Sequence, residues 1–293
     1  MKREIDFMSK SLFFIVVSLV VVTVSLVSIF VKGFNFGVEF TGGSEILLRF
    51  EGKRITESEL RGILSGISEE FKTARIVRVS SMGDPADVLK YSVVVPKTYA
   101  SEEKKSLQEK VESLTGGKLV SFNEITGTAA EEIRKGTWTA IVVSFIAMLF
   151  YIAIRFKFIY GVAAIIALVH DVVITLGFFS LFGYEINVAA VAALLTLIGY
   201  SINDTIVLCD RIRENAKRYR GKSMVSIVNA SINEVLARTI NSSLTTFMVV
   251  FVLLLFAGTV VKPFAFGMTV GVVVGTYSSL YVVSPIVARW GGR

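Results

Sequence analysis

The sequence predicts a membrane all-α six-helix bundle with an inserted α+β, ferredoxin-like extracytoplasmic domain. Three observations carry that prediction. Apolar residues make up 53% of the 293 positions, above the roughly 45–50% of ordinary soluble domains, and they collect in six long, nearly uncharged runs of the length a bilayer needs. Residues 32–135 are of a different kind, with 16 Lys and Arg against 16 Asp and Glu. Inside that neutral stretch the hydrophobic period alternates between that of a strand and that of a helix.

The first span is expected over about 11–31. The basic residues Lys2, Arg3 and Lys10 before it resemble the start of a signal peptide, but the apolar run is too long and no small-residue cleavage pattern follows, so it reads as a retained span. The second lies at about 137–154, between Trp138 and Arg155, and the third at 158–182, after the turn Arg155–Lys157. The fourth covers 187–208, the fifth 239–260 and the sixth 264–289. The domains are therefore 1–34, with the first span; 35–136, the inserted domain; and 137–293, spans two to six with a basic cytoplasmic loop over 209–238.

Orientation follows from Lys and Arg in the short connections. The N-terminus, the 155–157 turn, the 209–238 loop and the C-terminus hold 14 basic residues, whereas the opposing connections 183–186 and 258–263 hold only Lys262. Both termini are predicted to be cytoplasmic and the inserted domain to be outside. The whole net charge of +7 lies beside the spans, where anionic headgroups attract it, so it is no sign of nucleic-acid binding. One cysteine, Cys209, excludes an internal disulfide, and one histidine, His170, excludes a two-histidine metal motif. No cofactor and no metal site are expected.

Within the inserted domain, strands are expected at Ser44–Phe50, Ala74–Val79, Tyr91–Val95 and Lys118–Ile125, with helices at Glu57–Phe71 and Glu102–Leu114. The order strand–helix–strand–strand–helix–strand is the ferredoxin-like one. In the basic loop, Ser223–Leu236 repeats at helical spacing and fits either a helix lying in the membrane interface or part of a solvated basic loop that fixes topology.

Ionisable residues inside a bilayer are costly and mark candidate sites; a carboxylate at its centre costs about 2.5–3.5 kcal/mol on insertion scales. Asp204 lies in the fourth span, with Tyr200 and Ser201 one turn earlier on its face and Asn203 adjacent. It is a candidate titratable group on a proton pathway, or a structural carboxylate bonded to its neighbours. Asp171 and His170, mid-way along the third span, form either a proton relay or a buried structural pair. Arg238, followed by Asn241, either snorkels to headgroups or faces the bundle beside Asp204. In the sixth span, Gly267, Gly271 and Gly275 recur every fourth residue, a helix-packing face without chemistry.

Several stretches resemble one family. Gly37-Val-Glu-Phe-Thr-Gly-Gly43 resembles the extracytoplasmic glycine-pair signature of the SecD/SecF family of protein-export subunits, with Glu39 where Asp is typical. Gly199-Tyr-Ser-Ile-Asn-Asp-Thr205 followed by Asp210-Arg-Ile-Arg-Glu-Asn215 is similar to that family's fourth-span motif, with Cys209 where an aromatic is usual. Glu234–Thr246 is similar to the fifth-span motif, and Gly275–Ser279 with Ser284-Pro285 to the sixth. The resemblance covers nearly the whole chain. It implies a resistance-nodulation-division fold completed by a SecD-like subunit with six further spans, work beside the SecYEG translocon on translocating preproteins, and a drive from protons crossing the lipid bilayer of the bacterial cytoplasmic membrane. It also implies that Asp204 is the proton-path carboxylate and Arg238 its coupled arginine, with the role of Asp171 left open. It implies no enzyme. A half-size exporter of a small molecule or lipid is the alternative within the superfamily. An intramembrane aspartyl hydrolase using Asp171 and Asp204 is the alternative from another class.

Overall fold

The computed structural model describes residues 5–52, 54–79, 85 and 87–290. Lys2, Arg3 and Arg293, which enter the orientation argument, lie outside the described residues. In chain order the elements are α1 (Ser11–Lys32), β1 (Gly43–Glu51), α2 (Glu57–Ser65), β2 (Arg75–Val79), β3 (Val88–Val95), α3 (Ser101–Thr115), β4 (Lys118–Ile125), α4 (Gly127–Arg155), α5 (Phe158–Phe182), α6 (Val188–Arg218), α7 (Met224–Phe256) and α8 (Lys262–Ser278), which runs through a π turn at Ser279–Val283 into α9 (Ser284–Trp290). The chain divides into two compact units, residues 1–35 with 140–254 and 261–293, and residues 36–139 with 255–260.

The second unit holds a four-stranded sheet in the order β2-β3-β1-β4, with every neighbouring pair antiparallel. Alternate residues of β1 and β3 (Ile46, Leu48 and Phe50; Tyr91, Val93 and Val95) point into one core with Leu60 and Leu64 of α2, Leu107 and Val111 of α3, and Phe71. A capping box starts α2: the Thr56 hydroxyl accepts from the Glu59 amide at 3.3 Å, and the Glu59 carboxylate accepts from the Thr56 amide at 2.8 Å. The helix expected over 57–71 stops at Ser65. Gly62 and Gly66 weaken the run, and a 3-10 turn at Glu69–Lys72 carries Phe71 into the core instead. Gly116, with φ 68°, closes α3 in the left-handed conformation that glycine adopts without strain.

Among the described residues six helices, α8 and α9 counted as one, are long and apolar enough to cross a membrane. The residues of α1 that are buried are Ser18, Ser25 and Ser28, while Leu12, Phe13, Leu19 and Phe30 are exposed. This inversion is what a lipid environment selects: tails are as apolar as leucine, so close backbone approach and hydroxyl bonds drive association. Ser25 packs where a Cβ on Gly177 of α5 would lie, and Ser28 and Ser180 share a hydrogen bond of 3.0 Å.

The second span was expected to begin near residue 137. It belongs to a helix that begins at Gly127, supported by an exposed Glu131–Lys135 pair one turn apart. The 209–238 stretch, expected as a basic loop with an interfacial helix, is mostly a hairpin of two long helices. α6 continues to Arg218, and α7 starts at Met224. Ile227, Val228, Ile232 and Val235 pack on Leu208, Cys209 and Ile212, so the apolar face read as bilayer-seeking is buried in protein. Arg211 bridges Glu214 and Glu234, and Asn215 donates to Ser231 at 3.0 Å and Glu234 at 2.8 Å, which ties the two helices together. The π turn in the last span has a local cause. Pro285 offers no amide to Tyr281 and its ring displaces that carbonyl, so the turn before it widens.

Candidate functional site

α6 and α8 run side by side and in parallel. A Cβ on Gly267 would sit 3.0 Å from that of Ala193, one on Gly271 2.5 Å from Cδ1 of Leu197, and one on Gly275 3.1 Å from Cβ of Ser201. The three glycines thus share one close-packed seam with every fourth residue of α6, and the seam ends beside two buried carboxylates.

Asp171 of α5 is fully buried. Its Oδ2 accepts from the hydroxyls of Ser201, on α6, at 2.5 Å and Ser278, on α8, at 2.7 Å; its Oδ1 lies 2.9 Å from Nδ1 of His170. The His170 ring is buried and stacks on Tyr277, with centroids 6.3 Å apart, and its Nε2 has no partner among the described residues. The Tyr277 hydroxyl donates to the Phe14 carbonyl at 2.5 Å and lies 3.0 Å from the Ser18 hydroxyl, which links this cluster to α1.

Asp204, one turn beyond Ser201, is also buried, but it is supplied differently. The Ser243 hydroxyl of α7 donates to its Oδ2 at 3.4 Å, and Thr276 of α8 donates to Ser243 at 2.6 Å. Arg238 is exposed on α7, within electrostatic reach of Asp204, yet makes no ion pair within 4 Å among the described residues. One carboxylate is therefore enclosed by three polar partners, two of them hydroxyl donors. The other has one long hydroxyl bond, with a cation near but not in contact.

The structure brings together some of the residues picked from sequence and not others. Ser201 was expected to support Asp204 and bonds Asp171 instead, because a step of three residues turns a helical side chain by about 60° and presents it to α5. Tyr200 has a buried hydroxyl without a partner among the described residues. Asn203 and Asn241 are exposed and make no hydrogen bond to either carboxylate. Ser243, Thr276, Tyr277 and Ser278 were missed as site residues. The signal for them was the polar run Thr276–Ser279 inside an otherwise apolar span, and a similar run over Asn241–Thr246. No group of three or more metal-ligating side chains occurs among the described residues.

Comparison with known proteins gives matches along the whole chain. The profile "Protein export membrane protein SecD/SecF, C-terminal" matches residues 104–293, and "SecD/SecF GG Motif" matches residues 27–53. A protein translocase subunit SecF from Petrotoga mobilis is 51% identical over 97% of this chain and 95% of its own length. A SecF from Calditerrivibrio nitroreducens is 40% identical over 97% and 93%. The longer SecDF of Thermus thermophilus is 37% identical over 98% of this chain, which corresponds to 39% of the fusion. A crystal structure of Thermus SecDF, described as a translocon-associated membrane protein, superposes with a TM-score of 0.87 at 35% identity, covering 100% of this chain and 39% of that one. SecDF in a super-membrane-facing form superposes with a TM-score of 0.69 at 36% identity over the same shares.

Proposed function

The chain belongs to the SecD/SecF family of protein-export membrane proteins, and from that premise we propose that it couples the proton gradient to a late step of Sec-dependent export through Asp204. Its role is that of a multi-pass accessory subunit of the Sec protein translocase. A SecD chain is its natural partner, since a relative carries both in one polypeptide. It works beside SecYEG on emerging preproteins in the bacterial cytoplasmic membrane, with both termini cytoplasmic. The inserted unit is a ferredoxin-like extracytoplasmic domain, a reading supported by its strand order and its alternation of strands and helices.

The observation that carries the proton reading is the contrast between the two carboxylates. Three polar partners crowd Asp171, two hydroxyls on Oδ2 and His170 on Oδ1, which leaves it fewer open lone pairs than Asp204. Asp204 keeps lone pairs open, with Ser243 and Thr276 as a short hydroxyl chain leading to it. Arg238 stands close enough to act on its charge, and movement of α7 against α6 would change that distance. One charge crossing the membrane is worth about 2.3 kcal/mol per 100 mV, enough for one or two protons to shift a two-state element by orders of magnitude.

The test is export of a reporter into inverted vesicles, with and without an imposed gradient. Asp204→Asn keeps size and hydrogen bonding but cannot titrate. It is expected to assemble with the SecD partner, keep ATP-driven early translocation and lose the gradient-dependent part. Arg238→Met should behave alike. Asp204→Asn vesicles that respond to the gradient as wild type does would make Asp204 structural.

A further inference from the structure

We propose that Asp171 is a positioning residue, a clasp that holds α6 and α8 in register so that the hydroxyl chain to Asp204 can form. The proposal rests on the reading of Asp204 given above. Its basis is geometric. One oxygen of a fully buried carboxylate takes hydroxyl protons from two different helices, Ser201 at 2.5 Å and Ser278 at 2.7 Å, and His170 at 2.9 Å occupies the other oxygen. Lipid offers no competing partner for such bonds, and hydroxyl bonds of this kind help hold membrane helices together.

Both hydroxyls sit where a small shift would matter. Ser201 is one turn before Asp204 on α6, and it is also the residue on which Gly275 closes the packed seam. Ser278 is two positions after Thr276 and is the last residue before the π turn. The chain from Thr276 to Ser243 to Asp204 takes one group from each of α8, α7 and α6. The bilayer half of α7 is largely exposed, so its alignment depends on such contacts. Sliding α8 along α6 by a single residue, about 1.5 Å, would change the length and angle of the 2.6 Å bond from Thr276 to Ser243. The Asp171 carboxylate, bonded to both helices, opposes that slide.

A clasp and a proton carrier differ in what asparagine does. In Asp171→Asn the amide oxygen still accepts from both serines, and the amide nitrogen donates to Nδ1 of His170, which takes the other tautomer. The clasp survives, but no proton can be carried. A leucine at the same place abolishes the bonds to both helices.

The experiment uses the assembled complex with its SecD partner in inverted vesicles, scored as the gradient-dependent increment of export and its pH midpoint. Asp171→Asn should keep most of the increment and the wild-type midpoint. The double variant Ser201→Ala, Ser278→Ala should lower the increment at least about tenfold, the loss two ordinary hydrogen bonds give together, and should move the midpoint. The charges around Asp204 (Arg238 on α7, Asp171 and His170 on α5) are all retained in that variant. Asp171→Leu should lose the increment, and co-purification with the partner will show whether it still assembles. Loss of the increment in Asp171→Asn as complete as in Asp204→Asn would make Asp171 a carrier and overturn the clasp. A normal increment in the double serine variant would overturn it as well. Failure of the Asp204 reading shows up separately, in Asp204→Asn alone.

Discussion

Single residues in this protein act mainly through the distance they permit between helices. Gly177 is the extreme case: a Cβ there would lie 2.2 Å from Cβ and 2.6 Å from Cα of Ser25, so α1 and α5 would have to separate. Gly177→Ala should therefore destabilise the detergent-solubilised complex by about 1–3 kcal/mol, as other overpacked contacts do. Gly136→Ala on α4, with open space around its Cβ, should be neutral or stabilise by up to about 1 kcal/mol. Thermal unfolding of both variants is the measurement, and equal melting points would contradict the close approach. The same scale shows where sequence reading stops. Asp204, Asp171 and the spacing of Gly267, Gly271 and Gly275 stand out because they break an apolar run. Which carboxylate Ser201 serves cannot be read from a helical wheel, since both directions lie within its reach and only the neighbouring helix decides. The Ser25 and Ser28 face of α1 is invisible for a related reason. Serines scattered in an apolar span look like noise until α5 supplies Gly177 and Ser180 opposite them.

At the scale of elements, the inserted unit reads well because its periods are clean, and the hairpin of α6 and α7 reads badly because its charges mimic a loop. Arg211 and Glu234 look like solvated residues in sequence and form the ion pair that joins the two helices. The unit's own core supports a second expectation. Residues 38–128 expressed alone should fold, giving mixed helix and strand circular dichroism and one melting transition; a featureless coil would count against an independent domain. Phe71→Ala should cost about 3–5 kcal/mol, a large share of the 5–15 kcal/mol typical of a whole domain. Acid should weaken this unit in part through Glu124. Burial of its carboxyl opposes ionisation, but the Lys104 ammonium and the Tyr99 amide outweigh that and hold it below the ordinary carboxylate range. A carboxyl depressed in the folded state stabilises fully above its unfolded pKa, about 4.3, and that contribution fades as pH falls through the folded value. Glu124→Gln should thus lower the melting point at neutral pH and flatten its fall below about pH 4.3, measured by melting the domain across that range. At the other end of the chain, Asn233 takes the backbone of Ile5 through both amide atoms, at 2.9 and 2.8 Å, and Asn229 takes the Phe7 amide at 2.8 Å. Asn233→Leu should raise hydrogen exchange at Ile5 and Phe7; unchanged exchange would mean that packing of Phe7 and Met8 holds the segment by itself.

The molecule as a whole has a side it cannot leave open to lipid. Asn203, Arg238 and Asn241 are exposed on α6 and α7, close in sequence to Asp204 and Ser243, and the span of α7 is mostly uncovered. Apolar residues exposed on α1, such as Phe30, suit lipid, but an asparagine amide left without a partner in hydrocarbon costs free energy, and Arg238, at the cytoplasmic end of the span, escapes that cost only by reaching the headgroups. A second chain that supplies polar partners removes that cost, and a SecD chain is the one the family provides. Asn241→Trp, or Asn203→Trp, should sharply reduce recovery of the SecD partner with the tagged chain from membranes, because a bulky indole cannot enter a close-packed polar seam. Phe30→Trp, on the lipid-facing side of α1, should leave recovery unchanged and so controls for general damage to the bundle. Expressed without the partner, the wild-type chain should be degraded faster in membranes, its polar face being left unsatisfied. If Asn241→Trp retains its partner as fully as Phe30→Trp does, and the lone chain persists, then α7 faces lipid, Arg238 snorkels to the headgroups, and the coupling between Arg238 and Asp204 must be sought within this chain alone.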